Sequence, residues 1–268
     1  MKAGIALLLL LLSPSVLLAQ AESPVDRVPA HDSLTITSRA LHEPRPINVH
    51  IPAGYDSSSA RYPVLYMPDG GINEDFPHVV NTVDSLLALG KIRPVIVVGI
   101  PNTERRRDLT GPTRVGSDSQ IAPHVGGSAE FRRFIADELI PEIDRRYRTT
   151  DERAIVGESL AGLFIVETFL RQPSLFRHYI AFDPSIWWNK ASLADSAATL
   201  LAGHDSTSRS IYLASSRDDI DAGTARVARA LEAAHRPTLT WHFTPRPDLT
   251  HGTIFRAMAP GMLEEALR

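Results

Sequence analysis

The hydrophobic and polar positions of the chain form short apolar segments that alternate with segments of helical spacing. Residues 63–67 (Pro-Val-Leu-Tyr-Met) and 94–100 (Pro-Val-Ile-Val-Val-Gly-Ile) are continuous apolar runs, which is typical of strands buried on both faces of a parallel sheet. Residues 33–39 and 47–51 alternate between apolar and polar positions and predict an antiparallel pair of strands before them. The pattern therefore predicts a sheet whose buried centre begins near residue 63.

Beyond residue 127, predicted helices and strands alternate to the end of the chain. The spacing of Phe131, Phe134 and Ile135 predicts a long helix over 128–147. Further strands are predicted at 153–156, 178–182, 210–215 and 238–243, and further helices at 160–170, 193–201, 221–234 and 252–267, with an earlier helix ending near Gly90. This order predicts one α/β domain over residues 33–268, with a mostly parallel sheet, helices on both faces, and ligands beyond the carboxyl ends of the strands.

The first 21 residues have a different pattern and predict a secretory signal peptide. They contain one charged residue, Lys2, then an apolar run that is interrupted only at 13–15, and they end in Ala-Gln-Ala at 19–21. A membrane anchor is the alternative, but it needs about 20 apolar residues, and the uninterrupted run from Ile5 has 8. Cleavage after Ala21 would leave residues 22–32 as a short extension and would place the protein in the periplasm or outside the cell, without stable membrane insertion.

Composition and charge exclude several classes of protein. The chain is 43% hydrophobic and 22% charged, which is typical of globular domains. It has no Cys, which excludes disulfide scaffolds and thiolate metal sites. With 28 basic and 31 acidic residues it has no basic excess to favour nucleic acid. No His and carboxylate set has metal-ligand spacing and no glycine-rich loop fits a phosphate, so no cofactor is implied.

Residues 157–162, Gly-Glu-Ser-Leu-Ala-Gly, lie between a predicted strand and a predicted helix. A serine on such a sharp turn needs small residues two positions away on each side, and Gly157 and Ala161 provide them. The turn would also direct the backbone N–H of Leu160 toward the group that Ser159 attacks. The simpler alternative is an ordinary turn with Ser159 as a helix N-cap.

A nucleophilic serine needs a histidine base, and the chain order of this topology places that base after the last strand. His251 lies in the loop before the last helix and is the predicted base. His235 lies at a predicted helix end and His242 lies within a predicted strand, so a structural role is sufficient for both.

The acid that orients the histidine is expected just after the strand at 210–215. Residues 217–221, Arg-Asp-Asp-Ile-Asp, offer three carboxylates there. Asp218 is favoured because it is nearest to the strand end. Asp219 is the main competitor, and Asp221 is compatible with a role in the first turn of the next helix.

The loop after the strand at 63–67 is the candidate second half of an oxyanion hole. It reads Pro-Asp-Gly-Gly at 68–71, and glycines allow a backbone N–H to approach a reacting carbonyl closely. The Gly71 N–H is the predicted partner of the Leu160 N–H, and a plain turn is the alternative.

Several segments together resemble the "putative esterase" family of α/β-hydrolases. They are Ile-Pro-Ala-Gly-Tyr-Asp at 51–56, Tyr-Pro-Val-Leu-Tyr-Met-Pro-Asp-Gly at 62–70, Val-Gly-Ile-Pro-Asn-Thr at 98–103 with the following Arg-x-Arg-Asp-Leu-Thr, the serine turn, Asp-Pro-Ser-Ile-Trp-Trp at 183–188, and His-Gly-Thr at 251–253. The resemblance covers about residues 33–268 and is closest to the siderophore-esterase branch. It implies an α/β-hydrolase fold with Ser159, His251 and an acid near Asp218. The Arg-Asp-Asp segment departs from the family's usual Gly-x-Glu, and some relatives work with a Ser–His dyad.

Four other residues are candidates for substrate binding. Arg105 and Arg107 lie in the long 101–127 connection, where they could recognise an anionic or catecholate group or form structural pairs with Asp108. Trp187 and Trp188 follow a predicted strand end; one is expected to pack in the core and the other could line the substrate site.

The sequence therefore predicts an exported serine hydrolase that cleaves a small-molecule carboxylic ester through an acyl-enzyme. Acyl transfer to an alcohol by the same residues is the enzymatic alternative. A non-catalytic binding protein with the same fold is the alternative of another class. Siderophore, feruloyl and simple acyl esters all fit the sequence, which does not indicate an oligomeric state.

Overall fold

The structure is a computed structural model and describes residues 26–268. The predicted signal peptide and its cleavage position lie outside the described residues. The predicted fold class is confirmed: one mostly parallel sheet with helices on both faces forms an α/β domain.

The sheet has eight strands in the order β1-β2-β4-β3-β5-β6-β7-β8. Strand β2 is antiparallel to both β1 and β4, and the other neighbours are parallel. The strands are β1 (Asp32–Ser38), β2 (Glu43–His50), β3 (Tyr62–Pro68), β4 (Ile96–Ile100), β5 (Thr149–Glu158), β6 (His178–Phe182), β7 (Arg209–Ser216) and β8 (Leu239–Arg246). Because β5 to β8 are parallel neighbours, the loops after their carboxyl ends meet along one edge of the sheet.

The helices connect these strands. They are α1 (Phe76–Ala88), α2 (Arg105–Leu109), α3 (Gly116–Ser119), α4 (Ser128–Phe134), α5 (Ile140–Arg146), α6 (Leu160–Arg171), α7 (Trp188–Ala202), α8 (Gly223–Ala234) and α9 (His251–Leu267). The predicted helix over 128–147 is present as α4 and α5 joined by a π-helical turn, Ile135–Leu139. Pro141 lies just after that turn. Its ring lacks an N–H and would clash with a carbonyl in regular α-helical register, which accounts for the local widening.

The apolar core has two layers, one on each face of the sheet. Along β3, Val64 and Tyr66 contact one apolar cluster while Leu65 and Met67 contact the other. Successive side chains of a strand point to opposite faces, so burial on both faces requires the continuous apolar runs seen in the sequence. The helix α6 is buried along Leu160–Leu170, and this holds the strand-to-helix turn before it in a fixed position.

A buried ion pair attaches the long 101–127 connection to the sheet. Arg45 on β2 is fully buried, and its guanidinium contacts Asp108 at 2.6 Å and Glu43 at 2.9 Å. The second carboxylate oxygen of Asp108 accepts the Nε–H of Arg107 at 2.7 Å. The structural pairing of Arg107 with Asp108 is therefore present.

Replacement of Asp108 by Ala is expected to destabilise the fold because it leaves the Arg45 cation buried beside one remaining carboxylate. Loss of one partner of a buried ion pair costs about 3–5 kcal/mol, which lowers the melting temperature of a domain of this size by roughly 10 °C. Thermal unfolding measures the effect, with the exposed Asp56→Ala as the control variant. Equal melting temperatures for the two variants would contradict this role.

Candidate active site

Ser159 lies at the turn between β5 and α6 in a strained backbone conformation. Its φ and ψ are 59° and −120°, a region that non-glycine residues rarely adopt. Two backbone hydrogen bonds hold the turn: the Ser159 N–H donates to the Phe182 carbonyl and the Ser159 carbonyl accepts from the Ser185 N–H, both at 3.0 Å. The strained conformation places the hydroxyl at the sheet edge.

The small residues around Ser159 are required by packing. A Cβ atom on Gly157 would lie 2.6 Å from the Cβ atom of Ala161, and a Cβ atom on Gly162 would lie 3.0 Å from the Cα atom of Pro184. Both distances are too short for ordinary carbon contacts. The sequence-based explanation of Gly157 and Ala161 as spacers of a tight turn is therefore confirmed.

His251 is the first residue of α9 and lies beside Asp183, which follows β6. The imidazole Nδ1 is 2.7 Å from Asp183 Oδ2. A carboxylate at this distance accepts a hydrogen bond, so Nδ1 carries the proton and Nε2 is left as the ring nitrogen that can accept one. His251 is half-exposed, whereas Asp183 is buried.

Three donors hold the Asp183 carboxylate as an anion. Besides His251, the backbone N–H of Ser216 donates to Oδ1 at 2.8 Å, and the Ser216 hydroxyl donates to Oδ2 at 2.7 Å. Burial favours the neutral acid, but the hydrogen bonds from His251 and Ser216 prevail and lower the pKa of Asp183. The hydrogen bond to Asp183 in turn raises the pKa of His251 above its usual value, against the effect of burial.

The structure does not place the Asp218 carboxylate against the imidazole of His251, where the sequence predicted it. Its carboxylate accepts the backbone N–H of His251 at 2.8 Å, and it is Asp183 that contacts the imidazole. Asp219 instead accepts hydrogen bonds from Thr224 at the start of α8, and Asp221 is exposed.

The reason for the difference is the position of each aspartate relative to its strand. Asp183 directly follows β6 with a φ of 42°, which turns its side chain toward the next strand end. Asp218 lies two residues beyond β7. In the sequence, Asp183 is the first residue of the Asp-Pro-Ser-Ile-Trp-Trp segment, but the usual chain order predicts the acid after the later strand.

The predicted oxyanion-hole donors differ in their surroundings. Leu160 begins α6, so its N–H is among the helix amides that have no intrahelical acceptor. The Gly71 N–H donates to the Glu74 carboxylate at 2.7 Å. Glu74 is held there because it also accepts from the Asn102 side chain at 2.9 Å. The expectation of a free Gly71 donor is therefore not met, because the loop supplies its own acceptor three residues later.

Ser159, Asp183 and His251 line one pocket of about 250 Å³. The other lining residues are Pro184, Ser185, Trp187, Asp218, Asp219 and Ile220. The hydroxyls of Ser159 and Ser185 are 3.4 Å apart.

Of the two tryptophans, Trp187 lines the pocket. Trp188 is buried and donates its indole N–H to the Gly111 carbonyl at 2.7 Å. Trp188 is thus a core residue, and Trp187 remains the candidate for contact with a substrate.

The two candidate arginines lie away from this pocket. Arg105 and Arg107 line a separate cavity of about 640 Å³ beside α2. Arg105 makes two hydrogen bonds of 2.7 Å to Asp69, and Arg107 pairs with Glu43 and Asp108. The structure therefore engages both guanidinium groups in protein contacts and does not bring them to Ser159.

Glu158, which no sequence motif singles out, is a further titratable group beside Ser159. Burial raises its pKa to about 7, and the neighbouring charges of Asp75 and Asp183 act in the same direction. One of its carboxylate oxygens is buried without a hydrogen-bond partner among the described residues. Its negative charge contributes to the raised pKa of His251.

Replacement of Glu158 by Gln is expected to change the acid limb of the pH profile of kcat/KM. A His251 that acts as a base must be neutral to accept a proton, and the ionised Glu158 favours the imidazolium. In the wild type the limb is therefore expected to be shallow, because Glu158 itself becomes neutral near pH 7. The variant should follow a single-proton curve with a lower midpoint, and the exposed Glu130→Gln should retain the wild-type curve. An unchanged limb in Glu158→Gln would refute this coupling.

Two further properties concern the described residues 26–268. No group of three or more His, Cys, Asp or Glu side chains in this range is arranged to hold a metal ion. No helix within it has the length and apolar character needed to cross a membrane.

Comparison with known proteins identifies clear relatives. The family model described as "Putative esterase" matches residues 38–245. The chain is 35% identical over 151 residues to the ferri-bacillibactin esterase BesA of Bacillus subtilis, covering 49% of this chain and 50% of BesA. It is 32% identical over 158 residues to an endo-1,4-beta-xylanase/feruloyl esterase of Xylanibacter ruminicola, covering 54% of this chain and 20% of that protein. These matches thus span half or less of each relative.

The fold is also found among solved structures. An IroE-like serine hydrolase from Shewanella oneidensis has a TM-score of 0.77 and 26% identity, over 89% of this chain and 79% of that chain. The similarity extends over nearly all of the described domain.

Proposed function

The chain belongs to the "Putative esterase" family, and on that premise we propose that it is a serine hydrolase that cleaves carboxylic esters of small molecules through an acyl-enzyme. The observation that carries the proposal is the 2.7 Å contact between His251 Nδ1 and the buried Asp183 carboxylate, in the same pocket as Ser159. The three residues would form the catalytic triad, with Asp183 in place of the predicted Asp218.

In the first half of the reaction, Ser159 Oγ attacks the ester carbonyl and its proton moves to His251 Nε2. The negative charge that develops on the carbonyl oxygen is stabilised by the Leu160 N–H at the start of α6. Gly71 can add a second N–H only where the Glu74 side chain moves away from it. Asp183 stabilises the imidazolium that forms. The tetrahedral intermediate then breaks its bond to the alcohol oxygen, which takes the proton from Nε2.

The second half of the reaction releases the acyl group. A water molecule gives a proton to His251 Nε2 and attacks the acyl-enzyme carbonyl, and the bond to Ser159 Oγ then breaks as the proton returns to Oγ. The Ser159 hydroxyl lies 3.4 Å from the Ser185 hydroxyl, and in the first step of the proposed reaction it must donate to His251 Nε2.

The relatives support two substrate classes. BesA is a ferri-bacillibactin esterase, and the Xylanibacter protein has feruloyl esterase in its name. Both names describe ester hydrolysis. The half-buried indole of Trp187 and the exposed side chain of Ile220 provide apolar surface for the acyl group in the pocket beside Ser159. We place siderophore-type and aryl acyl esters first among the substrates to be tested.

Acid quenching during turnover of these esters tests the proposal. We expect an increase in protein mass equal to one acyl group, located on the peptide that contains Ser159. Addition of an acceptor alcohol separates hydrolysis from acyl transfer, because a transferase would form the new ester in preference to the free acid. Absence of both acyl-enzyme and product across the ester panel would favour the non-catalytic binding protein.

We also propose that the enzyme is exported. The support is the predicted signal peptide over 1–21. Expression of the full chain in a bacterial host and fractionation of the cells test this proposal. The expected mature protein begins at Glu22 and is found in the periplasm or the medium, whereas a chain that retains Lys2 in the cytosol would contradict it.

A further inference from the structure

A closed set of hydrogen bonds connects the loops after β6 and β7 with the start of α9. Asp183 Oδ2 accepts from both His251 Nδ1 and the Ser216 hydroxyl, each at 2.7 Å. The oxygen of that hydroxyl accepts the backbone N–H of Asp218 at 3.0 Å. The Asp218 carboxylate accepts the backbone N–H of His251 at 2.8 Å. The four residues therefore form a ring in which each member contacts two others.

Ser216 has a defined orientation in this ring. Its hydroxyl is buried, and the N–H of Asp218 occupies one acceptor position on the oxygen, which leaves the hydroxyl proton directed to Asp183. Its backbone N–H donates to the other carboxylate oxygen. Both oxygens of Asp183 are thereby fixed, and the lone pair that faces His251 is aligned with Nδ1.

The Asp218 carboxylate makes its hydrogen bond to the backbone of His251, while its charge contributes to the raised pKa of the imidazole. The His251 N–H belongs to the first turn of α9, where it has no intrahelical acceptor, and Asp218 supplies one. The neighbouring Arg217 reinforces the contact, since its backbone N–H donates to the Leu249 carbonyl at 3.1 Å and its guanidinium donates to the Asp248 carbonyl at 3.1 Å. The turn after β7 therefore holds the His251 loop from two sides.

We propose that Ser216 and Asp218 are positioning residues of the esterase: Ser216 orients the Asp183 carboxylate and Asp218 anchors the backbone of His251. This inference rests on the proposed function and adds to it a division of labour between two aspartates. Asp183 orients the imidazole through Nδ1. Asp218 fixes the position of the His251 backbone, from which the side chain extends. The sequence predicted Asp218 as the acid because it follows the strand that usually carries this residue. In the hydrogen-bonded set of four residues, Asp218 instead holds the His251 backbone.

The two tasks respond differently to amide substitution. An Asn side chain offers a carbonyl oxygen and can still accept a backbone N–H, so Asp218→Asn preserves the proposed contact, whereas Asp218→Ala removes it. A carboxylate that orients the imidazole cannot be replaced in this way, because the amide permits the wrong tautomer. Comparison of Asp218→Ala, Asp218→Asn and Asp183→Asn therefore distinguishes an anchor from an acid.

We expect Asp218→Ala to lower kcat by roughly 10- to 100-fold through misplacement of the imidazole, with KM nearly unchanged, and Asp218→Asn to restore kcat close to the wild-type value. The rate of fluorophosphonate labelling should follow kcat, and thermal unfolding checks that each variant is folded. Asp221→Ala is the matched control, because it removes an exposed carboxylate from the same loop. Wild-type kcat in Asp218→Ala, or loss of activity in Asp218→Asn equal to that in Asp218→Ala, would overturn the anchoring role.

Ser216→Ala tests the other half of the ring. It retains the backbone N–H but removes the hydroxyl, and we expect a fall in kcat of roughly tenfold. The proton resonance of His251 Nδ1–H should also broaden, because its acceptor is less fixed and exchange with water is faster. Unchanged kcat and an unchanged resonance would refute the role of Ser216. A wild-type protein that neither hydrolyses esters nor reacts with fluorophosphonate contradicts the proposed function itself, while normal wild-type turnover with unaffected variants contradicts only the positioning roles.

Discussion

Replacement of Ser159 by Ala is expected to reduce the hydrolysis of a short p-nitrophenyl ester by at least about 10⁴-fold. The variant lacks the oxygen that forms the acyl-enzyme, so only the slow direct attack of water on the bound ester remains. The fold should be retained, because the turn is held by backbone hydrogen bonds to Phe182 and Ser185 that an alanine can also make. Steady-state hydrolysis and thermal unfolding together measure the effect.

Ser185 provides the matched control for this experiment. Its hydroxyl is 3.4 Å from that of Ser159 and lines the same pocket, but unlike Ser159 it does not lie at the strand-to-helix turn and does not have a positive φ. Ser185→Ala should therefore lose far less activity than Ser159→Ala. A reversed order of the two variants would assign the nucleophile to Ser185 and contradict the proposed site.

Replacement of Asp183 by Asn is expected to lower kcat by roughly 10³- to 10⁴-fold. The amide can present an N–H to His251 Nδ1, which would place the ring proton on Nε2 and remove the base. The half-exposed imidazolium would also lose its counter-charge, so the pKa of His251 should fall. Measurement of kcat across the pH range reports both changes, and the acid limb is expected to move to lower pH.

The corresponding change at Asp218 separates the two candidate acids. If Asp183 is the acid, Asp218→Asn should remain active, since its carbonyl can still accept the His251 backbone N–H. If Asp218 were the acid, as the chain order predicts, the effects would be exchanged. A Ser–His dyad without an acid would leave both variants active, and this result would contradict the assignment of Asp183.

The fold could be predicted from the sequence because strands that are buried on both faces of a parallel sheet have continuous apolar runs. The runs at 63–67 and 94–100 became the central strands β3 and β4. The π-helical turn before Pro141 was not predicted, because the apolar spacing of residues 131–139 is compatible with both registers and the proline affects only the local hydrogen bonding.

The site could be predicted where a residue is defined by its own local turn. Ser159 required small neighbours, and the sequence contains them. The partner of His251 could not be selected in this way, because Asp183 and Asp218 each follow a strand closely, and the direction of the side chain decides which of them contacts the imidazole. That direction depends on the φ of 42° at Asp183 and on the two hydrogen bonds from Ser216, which no periodicity reveals. The acceptor of the Gly71 N–H could not be predicted either, because it depends on where the Glu74 side chain lies in the loop.

Mapping of a fluorophosphonate adduct on the folded protein tests the central claim most directly. The reagent reacts with a serine only where a base activates it, so it reports the assembled site without knowledge of the natural substrate. We expect one adduct per chain, located at Ser159, with greatly slowed labelling in His251→Ala and Asp183→Asn. Absence of labelling in the folded wild type, or an adduct on another serine, would contradict the proposed triad.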